Sequence, residues 1–204
     1  MKLLVRWLPA CAFVVVACAQ VLGIEDAALD PRFATEALCN EYCNTVEANC
    51  TGEFDVYTSP DTCRGVCSAL QPGEPGVAVG NTIHCRLANA KAAESTQEFG
   101  QHCPAAGPGG DGICGENCES YCTVLEKACP NEFARFDGAG DCVSECEANV
   151  PDLGGFDISQ DEGNSMQCRL YHVSAASDKP VPHCKHAIGD ELCVPGEGGS
   201  GGGG

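Results

Sequence analysis

Large aromatic side chains and positive charges are both scarce in this chain. Seven Phe, four Tyr and one Trp are spread over 204 residues, and 11 Lys and Arg face 29 Asp and Glu. A net charge of −18 excludes nucleic acid and anionic lipid headgroups as natural partners. The apolar run Leu8 to Val16 is too short to span a bilayer. No G-x-S-x-G, H-E-x-x-H or P-loop motif is present, and neither is the C-x2-C spacing of zinc ribbons and redox centres. The acidic stretch Asp157 to Gly163 lacks an EF-hand's glycine register, and its twelfth position is Cys168 instead of Glu. These absences predict a non-enzymatic protein with no catalytic residue, no cofactor and no resident metal.

What the chain has in abundance is cysteine, 18 in all. Sixteen fall into two sets of eight: Cys39, Cys43, Cys50, Cys63, Cys67, Cys85, Cys103 and Cys114, then Cys118, Cys122, Cys129, Cys142, Cys146, Cys168, Cys184 and Cys193. The steps are 4, 7, 13, 4, 18, 18 and 11 in the first set and 4, 7, 13, 4, 22, 16 and 9 in the second. The chain therefore reads as two copies of one module, residues 36–114 and 115–193. A module this small and this poor in aromatics needs staples, and four disulfides each would supply them. Such a framework requires an oxidising compartment, hence export.

The two leftover cysteines, Cys11 and Cys18, lie in an N-terminal segment with the pattern of a signal peptide: Lys2 and Arg6, then the apolar stretch. Val15-Val16-Ala17-Cys18 resembles a bacterial lipobox. The resemblance implies cleavage after residue 17, acylation of Cys18 and a membrane anchor, with sorting to the outer membrane from the Ala19 that follows. Residues 18–35 then form an acidic tether, and residues 194–204 a Gly-rich flexible tail.

At 100° per residue, Cys39, Cys43 and Cys50 fall within about 40° of one another, and Leu38, Tyr42 and Val46 widen the stripe to about 140°. This predicts one buried helical face, repeated by Cys118, Cys122, Leu125 and Cys129. The four-residue steps Cys63–Cys67 and Cys142–Cys146 predict a second helix. Gly80-Asn-Thr-Ile-His-Cys-Arg-Leu87 and Gly163-Asn-Ser-Met-Gln-Cys-Arg-Leu170 predict a third, opened by a capping hydroxyl. The expected fold is mostly α, small and disulfide-rich: two tandem homologous helical modules with about three short helices and four disulfides each. Eight cysteines allow 105 connectivities. Facing C-x3-C helices favour an antiparallel ladder, Cys39–Cys67 and Cys43–Cys63, and the remaining pairs are then expected as Cys50–Cys85 and Cys103–Cys114.

Four residues stand out as weak ligand candidates. Arg86 and Arg169 occupy equivalent positions and could bind a carboxylate or phosphate. A tie between the third helix and an acidic neighbour is the more economical reading. His102 and His183 each precede the seventh cysteine, and His186 follows, but one histidine per module is too few for a metal site, so a surface or packing role is expected. The lipobox, the acidic Val-Leu-Gly-Ile-Glu-Asp tether and the duplicated module resemble uncharacterised Cys-rich surface lipoproteins of Gram-negative bacteria. In cysteine count and helical character alone, each module is similar to the haem-binding eight-cysteine domains of fungal cell-wall proteins. The expected function is contact with an envelope or extracellular protein or a glycan, from a lipid anchor in the envelope. The competing reading is a small-molecule, haem or metal carrier with one pocket per module.

Overall fold

The computed structural model describes residues 31–194, with side chains from Thr35 onward. The signal segment, Cys18, most of the tether and residues 195–204 lie outside the described residues. The first helix, α1 (Pro31–Asn49), opens on a proline, whose fixed φ and missing N–H suit a first turn. It therefore starts inside the segment read above as tether. Its buried face is the predicted stripe: Cys39, Tyr42, Cys43 and Val46, continued by Cys50. After a 3-10 turn at Gly52–Phe54 comes α2 (Pro60–Ala69), capped by the Ser59 hydroxyl, which accepts the Thr62 N–H at 3.1 Å. Then follow α3 (Ile83–Thr96) and α4 (Phe99–Ala106). In the second module the helices are α5 (Asn117–Ala128), α6 (Pro130–Phe133), α7 (Ala139–Asn149), α8 (Met166–Ala176) and α9 (Pro180–Ala187). Among the described residues there is no strand, only an isolated bridge between Gln71 and Thr82. The fold is thus mostly α and disulfide-rich.

The duplicated hydroxyl does cap the third helix of each module. Thr82 accepts from the Cys85 N–H at 3.2 Å, and Ser165 from the Cys168 N–H at 3.1 Å. The ladder between the first two helices forms as Cys39–Cys67 and Cys43–Cys63, matched by Cys118–Cys146 and Cys122–Cys142.

The other two pairs differ from expectation. Cys50 joins Cys103, and Cys85 joins Cys114, in place of Cys50–Cys85 and Cys103–Cys114. The physical reason is the fourth helix, α4, which packs on α3 and is pinned to α1 by the buried Tyr42 hydroxyl donating to the Ala106 carbonyl at 2.6 Å. That brings Cys103 to the end of α1 and leaves Cys85, in the first turn of α3, facing the loop that ends at Cys114. The second module repeats the arrangement with Cys129–Cys184, Cys168–Cys193 and Tyr121 donating to the Ala187 carbonyl at 2.9 Å. Numbered in order, both modules pair first with fifth, second with fourth, third with seventh and sixth with eighth.

From Thr35 onward the modules belong to one compact unit. Helix α2 packs on both α5 and α8. A Cβ at Gly65 would collide with the Ser177 hydroxyl and lie 2.9 Å from the Ser177 carbonyl oxygen, so only glycine permits this approach. The Ser177 hydroxyl contacts the Thr62 carbonyl, and the Ile158 N–H donates to the Asp55 carbonyl at 2.9 Å.

Candidate functional site

Arg86 is fully buried, and its guanidinium is spent on structure. Nε donates to the Gly107 carbonyl at 3.0 Å, Nη1 to Thr82 at 3.3 Å, and Nη2 to the Pro108 carbonyl at 3.2 Å and the Ser120 hydroxyl at 3.0 Å. The structural reading of Arg86 is therefore corrected in detail. Its partners are carbonyls and a serine instead of an acidic residue, and Ser120 belongs to the second module. Burial pulls Arg86 below its ordinary pKa, opposed by the phenols of Tyr42 and Tyr57 and by Glu119. Burial likewise pushes Tyr42 up to about 12, which keeps the phenol a neutral donor. Arg169, at the equivalent position, is half-buried; its Nη1 donates to the Ala187 carbonyl at 3.1 Å, and its Nε is buried with no hydrogen-bond partner.

The histidines part company between the modules. In the first, His102 Nδ1 lies 2.9 Å from Asn89 Oδ1, with Glu98 3.9 Å from Nε2. In the second, the position equivalent to Asn89, four residues past the sixth cysteine, is His172, and the position equivalent to Ala105 is His186. His172, His183 and His186 each bring a ring nitrogen within 4.8 Å of the other two. His172 and His186 pack edge to face with ring centroids 4.7 Å apart, and His172 and His183 lie tilted to each other at 5.2 Å. Helix α8 supplies the first and α9 the other two, three apart and so on one face.

The hydrogen bonds assign the protons. His172 Nε2 faces the Asp161 carbonyl oxygen at 3.1 Å, which can only accept, so Nε2 carries the hydrogen. In the neutral ring Nδ1 is then bare and accepts from His183 Nδ1 at 2.9 Å. His186 presents Nε2 to the Glu191 carboxylate at 3.4 Å, while its Nδ1 is buried without a partner. Such a set can hold protons or a cation. Two other cysteine-containing groups, around Cys168 with Cys193 and Cys129 with Cys184, have their sulfurs tied in disulfides and offer no thiolate.

Burial is the largest cause that lowers the His172 pKa, from 6.5 to about 4, with the nearby His186 and His183 adding to the effect against the Asp161 acceptor. His183 is lowered too, first by burial and then by His186 and Lys179. Between pH 6.5 and about 4 the unfolded chain binds a proton at position 172 that the metal-free native state refuses. Stability is therefore full above pH 6.5 and falls as pH drops toward 4, by about 3 kcal/mol for the His172 shift. Urea midpoints of the metal-free protein at pH 7.5 and 4.5 measure this loss, and His172→Asn is expected to flatten it.

Open clefts occur in both modules but at different places. One of about 260 Å³ lies beside α1 and the start of α2, lined by Cys43, Tyr57, Pro60 and Ile158 among others. Another of about 430 Å³ lies between α6 and α9, lined by Pro130, Val181, Pro182 and Glu191 among others. These two clefts do not occupy equivalent positions in the two modules.

Of the four candidates from sequence, Arg86 and Arg169 sit at the ends of hydrogen-bond ties, His102 bonds Asn89, and His183 joins the cluster. Residues 6–117 match the family described as BfoA family C-terminal domain. The chain belongs to the BfoA family. The match takes in the first set of eight cysteines and stops at the first residue of α5, so the histidine cluster lies beyond the matched BfoA stretch. No curated protein and no solved structure matches the chain.

Proposed function

We propose that this BfoA-family chain is an exported, lipid-anchored, non-enzymatic protein of the cell envelope that works by contact with a protein or glycan. The observation that carries the reading is that all sixteen cysteines of the two modules are consumed in eight disulfides. A framework of this kind does not persist in a reducing cytosol. Arg86 and the α2 contact with α8 hold the modules in fixed register, so a partner meets one rigid, acidic surface instead of two independently tethered ones. The acidic surface keeps the protein clear of anionic headgroups and favours basic patches on a partner.

The anchor is Cys18, whose acyl chains hold the protein at the membrane, in the outer membrane under the sorting implied by Ala19. No helix among the described residues is long and apolar enough to cross a membrane. Cys18→Ser is expected to move the protein from the membrane pellet to the soluble fraction. Retention of the variant in the pellet would sink the lipid-anchor reading.

A further inference from the structure

We propose that His172, His183 and His186 form a binding site for one divalent transition-metal ion of the zinc and copper class, present in the second module and missing from the first. The geometry is that of a three-histidine centre with an open fourth position. Metal–nitrogen bonds of 2.0–2.1 Å put tetrahedral ligands about 3.3–3.4 Å apart, so three nitrogens already within 4.8 Å need only small ring movements to share an ion. His172 and His183, at 2.9 Å, must open by a few tenths of an ångström.

Two features point to a ligand and not to packing alone. The first is His186, 9 % exposed, whose Nδ1 is buried with no hydrogen-bond partner, a lone pair left without use. The second is the outer ring of acceptors. The Asp161 carbonyl faces His172 Nε2, and the Glu191 carboxylate faces His186 Nε2, the arrangement that fixes the tautomer and raises the basicity of metal-bound imidazoles. Both rings thus offer Nδ1.

Binding balances without proton release. His183 gives up its Nδ1 hydrogen, through solvent, to its own Nε2, and its Nδ1 lone pair turns to the ion. All three imidazoles remain neutral. Borderline divalent ions match three nitrogen donors, whereas Ca²⁺ and Mg²⁺ require oxygen. The first module contains the matching negative control. Asn89 and Ala105 stand where His172 and His186 stand, and His102 has Asn89 and Glu98 as its neighbours.

The test is calorimetric titration of the oxidised, chelator-treated chain with Zn²⁺. One equivalent is expected to bind. His172→Asn with His186→Ala, residues the first module already carries at those positions, is expected to weaken it by more than about 100-fold, beyond what outer partners alone contribute. Equal uptake by this variant would assign the metal to the acidic surface and overturn the proposal, as would no saturable uptake at all. Should the variant lose its helical circular dichroism, ¹⁵N spectra of the imidazoles in the unaltered chain decide. Zn²⁺ must shift His172, His183 and His186 and leave His84 and His102 in place; any other pattern contradicts the site.

Discussion

Removal of the Cys50–Cys103 bridge by paired alanine substitution is expected to lower stability by about 4 kcal/mol, the largest loss from any single first-module bridge. It spans 53 residues, against 20 for Cys43–Cys63, and the entropy withheld from the unfolded chain grows with the logarithm of that span. Nesting widens the difference. Cys43–Cys63 lies inside the loop closed by Cys39–Cys67, so its loss leaves the enclosing constraint intact, whereas Cys50–Cys103 alone ties the end of α1 to α4. The Tyr42 hydroxyl and the packing on α3 then have to hold α4 without a covalent tie to α1. At about 2–4 °C per kcal/mol for a unit of this size, the melting temperature falls by roughly 10–15 °C. A larger fall on removing Cys43 and Cys63 would contradict the account.

Arg86→Met is expected to cost about 3–5 kcal/mol and to loosen both modules together. The substitution removes four donated hydrogen bonds at a site with no exposure, and leaves the Gly107 and Pro108 carbonyls and the Ser120 hydroxyl buried without them. Loss of the buried charge gives back part of its desolvation cost, which keeps the net within this range. Lysine is no remedy: a point charge cannot reproduce a planar fork that reaches three carbonyls and a hydroxyl. Arg169→Met, at a half-buried position with its Nη1 bonded to one carbonyl, is the internal comparison and is expected to cost much less. Urea unfolding checks both; equal losses at 86 and 169 would remove Arg86 from its role as the tie between modules.

The legible parts of this fold were those written at helical spacing. The i, i+4 cysteines, the apolar stripe of α1 and the capping hydroxyls at Thr82 and Ser165 are all local signals, and two rungs of each ladder follow from them. The fourth helix escaped because Phe99–Ala106 contains Gly100 and Pro104, poor helix formers whose order comes from packing on α3 and from Cys103. With α4 missing, Cys50 and Cys85 looked like neighbours. The Arg86 partners were illegible for another reason, since backbone carbonyls of a loop leave no mark in a sequence.

The histidine cluster was half visible. His183 and His186 stand three apart, one face of a short helix, but their third member arrives from α8. Comparing the modules for what they share also hides His172, because its counterpart is Asn89. The signal lay in where the duplicates diverge, which is where a second copy is free to acquire a property the first does not have.

The measurement that bears most directly on the central claim is the intact mass of the protein extracted from membranes without reductant. The account predicts a chain beginning at Cys18, heavier by its acyl groups and lighter by sixteen hydrogens for eight disulfides, with no thiol open to alkylation. A chain that begins elsewhere without lipid, or cysteines of the two modules that alkylate before reduction, would contradict it.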